Sequence, residues 1–365
     1  MKIGIDAFGC DHGQSGLGSY LLNFIKNLPE SLNFEIELFG LEIDRYTYTG
    51  DSEIPFSSVR LDDNLKAVRR WHKRKLNKFC KKNKYDVVLF PASSQVLPGK
   101  IASKAVLVMN GTYTSIQDRR QHKMLKKAFK NAALIIAASQ YIKDDLLQSG
   151  FDGSKIIVVH NGIDHKIFFP LADVDSEYVD IKPFAIKRPY FIYSSRLSGS
   201  DKKHLQLIKA FELFKKRTNY PHRLVLTGSD GEYSKVIHQA AYDSEYASEI
   251  FITGHFPQES LKLLYCGSQA CVFPAVNEGS GLPVIEAMAC GVPVLCSDRG
   301  ALVEMAGMAP LYFDSDNIEE IAVDMQKVVE EKDLVQLMVQ KGLEVSHRIT
   351  WETTIRQTIE AIEKI

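Results

Sequence analysis

The chain has 365 residues, of which 45% are hydrophobic and 25% are charged, and its 45 Lys and Arg balance its 45 Asp and Glu. This composition is ordinary for a soluble globular protein, and the length exceeds that of a usual single core, so we predict two domains. No apolar run approaches the roughly 20 residues needed to cross a bilayer, and the first ten residues lack the long apolar core of a secretory signal. These features argue against a membrane-spanning or exported protein, and we expect a cytoplasmic one.

The charge is divided unevenly between the two halves of the chain. Residues 1–170 contain 25 Lys and Arg against 17 Asp and Glu, a net charge of +8, which leaves 20 against 28, or −8, in residues 171–365. A positive N-terminal half predicts an acidic or anionic-lipid partner.

The first half alternates between strand-like and helix-like periodicity. Six apolar runs predict strands, and residues 19–28 and 139–150 predict helices between some of them. Alternating strands and helices form a parallel sheet covered by helices. The six predicted strands lie within residues 2–8, 34–40, 85–91, 104–110, 133–139 and 155–162.

A glycine-rich loop follows the first predicted strand. Gly13, Gly16 and Gly18 lie between this strand and a helix, so backbone amides there can approach a ligand closely. The loop is not a dinucleotide fingerprint, because Leu21 occupies the third glycine position of G-x-G-x-x-G. Taken alone, it also fits an ordinary turn at a helix start.

Two basic segments lie in the first half. Residues 65–84 contain ten Lys or Arg, and residues 119–130 form a second basic run. One interpretation is a pair of solvated helices that pack their apolar stripes on the sheet; the other is a surface that meets anionic lipid. Nucleic acid is not predicted, because no binding module accompanies the charge. The stripe of the first segment consists of Leu65, Val68, Leu76 and Phe79, with Trp71 beside it.

Residues 165–189 carry three prolines and no clear periodicity, which predicts an irregular linker between domains. A second alternating set of elements follows and predicts another parallel sheet. We therefore place domains at residues 1–168 and 169–348, with a C-terminal helical segment at 349–365. The strands of the second set lie within residues 190–196, 222–229, 249–255, 270–275, 293–298 and 309–314.

The most informative stretch is EGSGLPVIE, which places Glu278 and Glu286 around a glycine-rich helix start. The free amides and positive dipole end of this helix can hold a diphosphate, and Glu286, predicted in the first turn, can accept hydrogen bonds from ribose hydroxyls. A loop of Gly and Pro before a helix is also a common connection in any strand–helix protein. The apolar strands on both sides place Glu278 at the carboxyl end of a strand, where ligands bind in parallel crossover units.

Two cations are predicted to point toward the same helix start. Arg196 directly follows a strand, and Lys202 lies just before the next helix. Together with a helix N-terminus, they would stabilise the charge on a departing nucleoside diphosphate. Each one alone also fits a solvated surface position, and Lys203 takes the role of Lys202 if the register differs by one residue.

Residues 278–286 resemble the Glu-x7-Glu signature of retaining glycosyltransferase family 4, whose usual form is E-G-F-G-L-P followed by two residues and E. Residues 194–211 are similar to the family's G-R-L run, its K-N-H and the following helix, in a register that matches Arg196 and Lys202 to its two phosphate-binding cations. The remaining matches lie at residues 158–164, 223–231, 297–307 around Glu304, and from Trp351 onward.

The resemblance implies the α/β GT-B fold, in which two Rossmann-like parallel-sheet domains face each other across a cleft and the last helix crosses back to the first domain. It implies a hexosyltransferase that moves a sugar, with retention of configuration, from a UDP-, GDP- or ADP-sugar to a hydroxyl of a glycan or lipid-linked glycan. The setting would be surface polysaccharide synthesis, in the cytoplasm or at the cytoplasmic face of the membrane.

The resemblance also implies roles for individual residues. Glu278, Arg196 and Lys202 would be catalytic, with Glu278 orienting the donor sugar, and Asn110 would lie on the acceptor side. Neither a metal nor a cofactor is expected, and the paired carboxylates are not those of a glycoside hydrolase, because Glu286 would lie against the nucleoside. The donor-binding residues would be Gly16, Gly18, Gly279, Ser280, Gly281, Leu282 and Glu286.

Two positions depart from the family pattern. Asn110 and Gly111 stand where the family often has a His-Asp pair, and Ser280 stands where it usually has Phe. A non-catalytic sugar-nucleotide-binding protein with the same fold therefore remains an alternative, and a sugar-nucleotide epimerase is another. Two Asp-x-Asp pairs, at residues 173–175 and 314–316, fall in predicted loops outside the motif, so they do not indicate a metal.

Six cysteines occur without a C-x-x-C spacing, and several lie within apolar runs. This pattern predicts buried free thiols rather than metal ligands or a redox pair. The cysteines are Cys10, Cys80, Cys266, Cys271, Cys290 and Cys296.

Overall fold

The structure, a computed structural model, describes residues 1–13, 16–29, 32–50, 53–98, 100–116, 119–172 and 176–365. The chain forms two compact units. Residues 1–162 and 351–365 make up the first unit, and residues 163–350 make up the second.

The first unit is built on one parallel sheet. Its strands are β1 (Lys2–Asp6), β2 (Glu35–Gly40), β3 (Phe56–Ser58), β4 (Val87–Phe90), β5 (Lys104–Met109), β6 (Leu134–Ala137) and β7 (Ile156–Val158), in the spatial order β3-β2-β1-β4-β5-β6-β7. The six predicted strands are confirmed. The edge strand β3 was not predicted, because its three residues are partly buried or exposed and show no apolar run.

Helices cover both faces of this sheet. They are α1 (Gly16–Lys26), α2 (Glu42–Thr49), α3 (Leu65–Arg74), α4 (Leu76–Asn83), α5 (Arg119–Asn131) and α6 (Gln140–Gln148). Alternate residues of β5 point to opposite faces, with Leu107 in one core cluster and Val108 in the other. Side chains of α3, α4, α5 and α6 belong to the cluster of Leu107, whereas α1 packs with Val108.

The apolar stripe predicted for residues 65–84 is partly wrong. Val68, Trp71 and Leu76 are buried in the core, but Leu65 is 41% exposed. Leu65 is the first residue of α3, directly after the N-cap Asn64, and it precedes the turn that packs on the sheet.

The second unit contains a six-stranded parallel sheet. Its strands are β10 (Tyr190–Ser194), β11 (Arg223–Thr227), β12 (Ile250–Gly254), β13 (Ala270–Phe273), β14 (Val294–Ser297) and β15 (Leu311–Phe313), after a separate pair of strands, β8 (Tyr178–Ile181) and β9 (Phe184–Lys187). The order in the large sheet is β12-β11-β10-β13-β14-β15, a doubly wound arrangement. All six predicted strands of this set are confirmed.

The helices of the second unit lie between these strands or follow the last of them. They are α7 (His204–Thr218), α8 (Ser234–Tyr242), α9 (Gln258–Gly267), α10 (Leu282–Ala289), α11 (Leu302–Ala306), α12 (Ile318–Glu330) and α13 (Lys332–Ser346).

The antiparallel pair of β8 and β9 corrects the prediction of an irregular linker at residues 165–189. The two strands pair from Tyr178 opposite Lys187 to Ile181 opposite Phe184. Val179 and Ile181 are buried while the residues between and before them are exposed, a period-two pattern that the neighbouring prolines concealed.

The last helix, α14 (Trp351–Glu363), belongs to the first unit. Trp351 is buried and meets Tyr20 of α1 edge to face, with ring centroids 5.6 Å apart. The Thr354 hydroxyl donates a hydrogen bond of 2.7 Å to the carbonyl oxygen of His160, after β7. The helix therefore covers the same sheet face as α1.

The six cysteines are free thiols, and the prediction of burial is confirmed for all except Cys266, which is partly exposed. Among the described residues, no helix combines the length and the apolar character that crossing a membrane would require.

Candidate functional site

The strand order of the second unit reverses at β10, which pairs with β11 on one side and β13 on the other. Ligands in such sheets bind beyond the carboxyl ends of the strands at this reversal. The segment after β10 contains Arg196 and Lys202, and the segment after β13 contains Glu278. The fold therefore gathers the predicted residues of this unit at one edge of the sheet.

Lys202 is held by the backbone around it. The hydroxyl of Tyr193, in β10, donates a hydrogen bond of 2.8 Å to the Lys202 carbonyl oxygen. The amide of Val276 donates one of 3.0 Å to the carbonyl oxygen of Asp201, which ties this segment to the loop after β13. As a result, Lys202 Nζ lies 3.1 Å from Glu278 Oε2.

Glu278 is fixed through both its backbone and its carboxylate. Its carbonyl oxygen accepts a hydrogen bond of 2.9 Å from the Ala301 amide. Its Oε1 accepts from the Gly281 amide at 3.3 Å and lies 3.5 Å from the Ser280 hydroxyl. Because Lys202 contacts the other oxygen, the carboxylate has little rotational freedom.

Gly300 is a residue of this site that the sequence did not reveal. Its φ is +68°, and a Cβ atom there would lie 2.8 Å from the Glu278 carbonyl oxygen and 3.0 Å from the Glu278 amide nitrogen. Both the backbone conformation and the lack of space require glycine. Residues 297–307 matched the family, but no local pattern indicates that Gly300 touches a residue 22 positions earlier.

The N-terminus of α10 opens beside Glu278. Gly281 is its N-cap with φ +64°, and Leu282 and Pro283 are its first residues. Glu286, predicted in the first turn, is the fifth residue of the helix and begins the second turn, because the helix starts at Leu282. Leu282 is partly exposed at this helix start.

Lys202 and Glu286 have shifted pKa values. Burial opposes the charge on Lys202, but Glu278 and then Asp201 outweigh it, so the pKa of the amine is raised. Burial, with a smaller contribution from Glu278, raises the pKa of Glu286 to about 7. The site thus holds a protonated Lys202 beside Glu278, and Glu286 titrates near neutrality.

Arg196 forms no ion pair with Glu278. Its side chain is exposed and has no ion-pair partner among the described residues. Lys203 also points away, because its Nζ lies 2.5 Å from Asp316 Oδ1. The structure thus places Lys202, rather than its neighbour, against Glu278.

The predicted residues of the first unit follow the carboxyl ends of β1 and β5, with Gly16 and Gly18 in the first turn of α1. Gly18 is buried, and a Cβ there would lie 2.3 Å from the Cys10 carbonyl oxygen, so this glycine allows α1 to pack on the preceding loop. Gly16 borders open space. Asn110 follows β5, and its Oδ1 accepts a hydrogen bond of 2.9 Å from Asn161 Nδ2.

Asn161 is a further residue that the sequence did not single out, although it lies in the matched run 158–164. It is buried, and Asn110 Nδ2 is also buried without a hydrogen-bond partner among the described residues. The amide group of Asn110 therefore has an unsatisfied donor at the edge of the sheet.

The Asp-x-Asp pairs provide no metal cluster in the part of the chain that the structure describes. Asp316 pairs with Lys203, and Asp314 Oδ1 accepts a hydrogen bond of 3.1 Å from the Asp316 amide. Asp173 and Asp175 lie outside the described residues. No three His, Cys, Asp or Glu side chains converge as ligands among the residues that are described.

Two family profiles match the chain. One, described as "Glycosyltransferase Family 4", matches residues 14–167, and the other, described as "Glycosyl transferases group 1", matches residues 175–345. O-antigen chain mannosyltransferase B of Escherichia coli is 26% identical over 245 residues, 67% of this chain and 64% of that protein. O-antigen chain mannosyltransferase RfbU of Salmonella typhimurium is 26% identical over 195 residues, 53% of this chain and 50% of that protein.

These relatives are matched over less than two thirds of their own length. Among solved structures, HepE of Anabaena in complex with UDP and glucose superposes with a TM-score of 0.78 at 17% identity, covering 100% of both chains. The similarity shows a GT-B fold of two Rossmann-like units. The chain belongs to the family 4 type of GT-B glycosyltransferases.

Proposed function

We propose that the chain is a retaining hexosyltransferase that needs neither a metal nor a cofactor. It transfers a hexose from a nucleoside-diphosphate sugar to a hydroxyl group of a glycan or a lipid-linked glycan, as a step of surface polysaccharide synthesis.

The observation that carries the proposal is the contact of 3.1 Å between Lys202 and Glu278 beside the N-terminus of α10. A sugar diphosphate develops positive charge on the sugar ring and negative charge on the phosphate as its bond breaks. A fixed carboxylate, a fixed ammonium group and the positive dipole end of the helix provide a complementary charge for each part.

In the proposed reaction, the bond between the anomeric carbon and the diphosphate oxygen breaks, and the acceptor oxygen bonds to that carbon from the same face. The leaving phosphate oxygen takes the acceptor's proton, so the products are a glycoside and a nucleoside diphosphate. Glu278 orients the sugar and stabilises its positive charge, while Lys202 and Arg196 stabilise the diphosphate. Glu286 accepts a hydrogen bond from the ribose.

The other predicted residues complete the proposed site. Gly279, Ser280, Gly281 and Leu282 would contact the donor at the start of α10, and Gly16 and Gly18 would also belong to the donor-binding residues. Asn110 would serve the acceptor. Its unsatisfied amide donor supports this role, because a hydroxyl oxygen can accept from it.

The names of the relatives support a mannosyl donor and a polysaccharide acceptor, since both sequence relatives are called O-antigen chain mannosyltransferases. UDP-, GDP- and ADP-sugars all remain candidates for the donor. In this proposal the enzyme works in the cytoplasm at the membrane face that carries a lipid-linked acceptor, with the basic segments 65–84 and 119–130 toward anionic lipid.

Saturation-transfer NMR against a panel of UDP-, GDP- and ADP-sugars, mannose donors included, tests the proposal when nucleotide release is followed in the same tubes. We expect one donor to bind and to be broken down slowly, and Glu278→Ala to abolish the breakdown. Glu259→Ala, which removes an exposed carboxylate of the same unit, is the matched control and should change nothing.

Other outcomes would favour the alternatives. Binding without breakdown, even with glycan acceptors added, would indicate a sugar-nucleotide-binding protein. A donor whose stereochemistry changes without an acceptor would indicate an epimerase. Once an acceptor is identified, an inverted anomeric configuration in the product would contradict the retaining mechanism.

A further inference from the structure

Two cysteines of the second unit lie together although they are 24 positions apart in the chain. Cys266 is the penultimate residue of α9, and Cys290 is the C-cap of α10, so the carboxyl ends of these helices are neighbours. Cys266 Sγ lies 3.9 Å from the Cys290 carbonyl oxygen, and the two free thiols are hydrogen-bond partners. The pair therefore arises from the packing of two helices and not from a local sequence pattern.

The two thiols differ in their access to solvent. Cys266 is partly exposed, whereas Cys290 is only 4% exposed. A reagent from solvent therefore reaches Cys266 first, and the Cys290 thiol lies next to the product. Redox-sensitive sites in proteins share this arrangement, in which an accessible reactive cysteine lies beside a second cysteine that resolves the product.

The surroundings of Cys266 favour its thiolate form. The hydrogen bond with the Cys290 thiol is the largest contribution that lowers the pKa of Cys266, and burial opposes it. The Leu171 amide and the Lys262 ammonium group lower this pKa further, to about 7. Lys262 precedes Cys266 by one turn of α9, and its Nζ lies 3.0 Å from the centroid of the Phe169 ring. Cys266 is thus partly ionised at neutral pH, and the thiolate is the nucleophilic form.

Cys290 is held in its protonated form until Cys266 reacts. The hydrogen bond with Cys266 is the largest cause that raises the pKa of the Cys290 thiol, followed by burial and by the negative charge of Cys266. Oxidation of Cys266 removes that charge and the hydrogen bond to it. Two of these three causes then disappear, so Cys290 becomes easier to ionise at the stage when its sulfur must attack.

We propose that Cys266 and Cys290 form a reversible disulfide when the chain meets a peroxide, and that Cys266 reacts first. The Cys266 sulfur attacks one peroxide oxygen, the O–O bond breaks, and a sulfenic acid and water form. The Cys290 sulfur then attacks the Cys266 sulfur, the S–O bond breaks, and a second water leaves with the remaining thiol proton. The two thiols lose two electrons and hydrogen peroxide gains them. This modification site does not depend on the proposed transfer reaction.

The disulfide would also change how the start of the second unit is held. In the reduced chain, the Cys266 thiol donates a hydrogen bond of 3.6 Å to the Phe169 carbonyl oxygen. A disulfide sulfur carries no hydrogen, so this bond is lost on oxidation. Phe169 lies within residues 163–172, the first segment of the second unit. Oxidation would therefore tie α9 to α10 and loosen the attachment of this segment to α9.

A second pair of cysteines in the same sheet provides an internal comparison. Cys271 and Cys296 lie on the paired strands β13 and β14, and both are 0% exposed. Burial raises the pKa of both thiols. These thiols are therefore protonated and shielded from solvent, and a peroxide should distinguish them from Cys266.

Peptide mapping of the full chain after treatment with hydrogen peroxide tests the site. Trypsin alone leaves all four cysteines in residues 263–299, so a second protease that cleaves after Glu278 and Glu286 is needed. We expect a cross-link between Cys266 and Cys290 that a thiol reductant removes, and none in C266S. In C290S, dimedone should trap a sulfenic acid at Cys266. The matched control C271S/C296S should form the cross-link as the unmodified chain does.

Hydrogen–deuterium exchange of a peptide that covers residues 168–172 measures the consequence, and we expect faster exchange in the oxidised chain. The site is overturned if peroxide leaves Cys266 unmodified, if it links Cys271 to Cys296 instead, or if Cys266 links two copies of the chain. Equally fast exchange in peroxide-treated C266S would show that the hydrogen bond to Phe169 does not hold this segment.

Discussion

Lys202 and Lys203 are adjacent cations with different partners, which makes them a matched pair for mutation. Lys202 lies 3.1 Å from Glu278, whereas Lys203 lies 2.5 Å from the exposed Asp316. We predict that Lys202→Met lowers kcat by roughly 10²–10³-fold, the usual cost of removing one group that stabilises developing charge. Lys203→Met should lower it less than about threefold. Steady-state kinetics with the identified donor checks the pair, and similar losses in both variants would contradict the site.

Glu286 gives the site a pH dependence whose sign follows from its pKa. Burial and Glu278 raise this pKa from 4.5 to about 7, so the folded protein binds a proton that the unfolded chain releases between these values. Folding stability is therefore lost as pH rises from 4.5 through 7, by at most about 3.5 kcal/mol, since one pKa unit corresponds to about 1.4 kcal/mol.

We therefore predict that Glu286→Gln raises the stability at pH 8 and leaves it unchanged at pH 4. Its nucleotide affinity should be lower at pH 8, because the ionised carboxylate is the better acceptor for ribose hydroxyls. Urea unfolding and nucleotide titration at both pH values provide the measurements. If Glu286→Gln instead lowers the stability at pH 8, burial does not destabilise the ionised Glu286 carboxylate.

At the scale of elements, the turn before α11 packs against the loop before α10, with Gly300 next to the Glu278 backbone. Gly300 and Gly307 flank α11 with positive φ values of +68° and +56°, but only Gly300 lies against Glu278, whereas a Cβ on Gly307 would meet open space. Alanine at either position should cost at least about 1 kcal/mol of stability, for backbone strain at both and for the close backbone contact at Gly300 as well. We predict that only Gly300→Ala also lowers kcat, by at least tenfold, because it displaces the Glu278 backbone.

Thermal unfolding of both alanine variants measures the cost of the backbone strain. Their kinetics show whether the Glu278 backbone is displaced. Gly307→Ala serves as the control for strain alone. If the two variants lose activity to the same extent, the Gly300 contact does not position Glu278.

These elements also show how far the sequence could predict the structure. Strands such as β10 and β13 are continuous apolar runs, and the Glu278 loop carries a motif, so local patterns were sufficient. The pair β8 and β9 was missed because prolines interrupt a short alternation. The partner of Lys202 and the role of Gly300 depend on contacts between distant positions, which periodicity does not encode. The register of the family match selected Lys202 over Lys203. The structure explains this choice, because Lys202 is the one that contacts Glu278.

At the scale of the whole molecule, the first unit is completed by residues that follow the second unit in the chain. Trp351 of α14 is 4% exposed and packs on Tyr20. Replacing such a buried aromatic residue with alanine typically costs about 3–5 kcal/mol. We predict a loss of this size for Trp351→Ala in urea unfolding, with nucleotide binding by the second unit retained at low denaturant, because its donor residues lie within residues 163–350.

Gln357→Ala is the matched control, since it changes an exposed position of the same helix and should cost less than about 0.5 kcal/mol. A separate, earlier unfolding transition in Trp351→Ala would show that α14 stabilises the first unit rather than the chain as a whole. An unchanged midpoint would mean that the core of the first unit is complete without α14. In that case the hydrogen bond from Thr354 to His160 could not explain why this helix returns to the first unit.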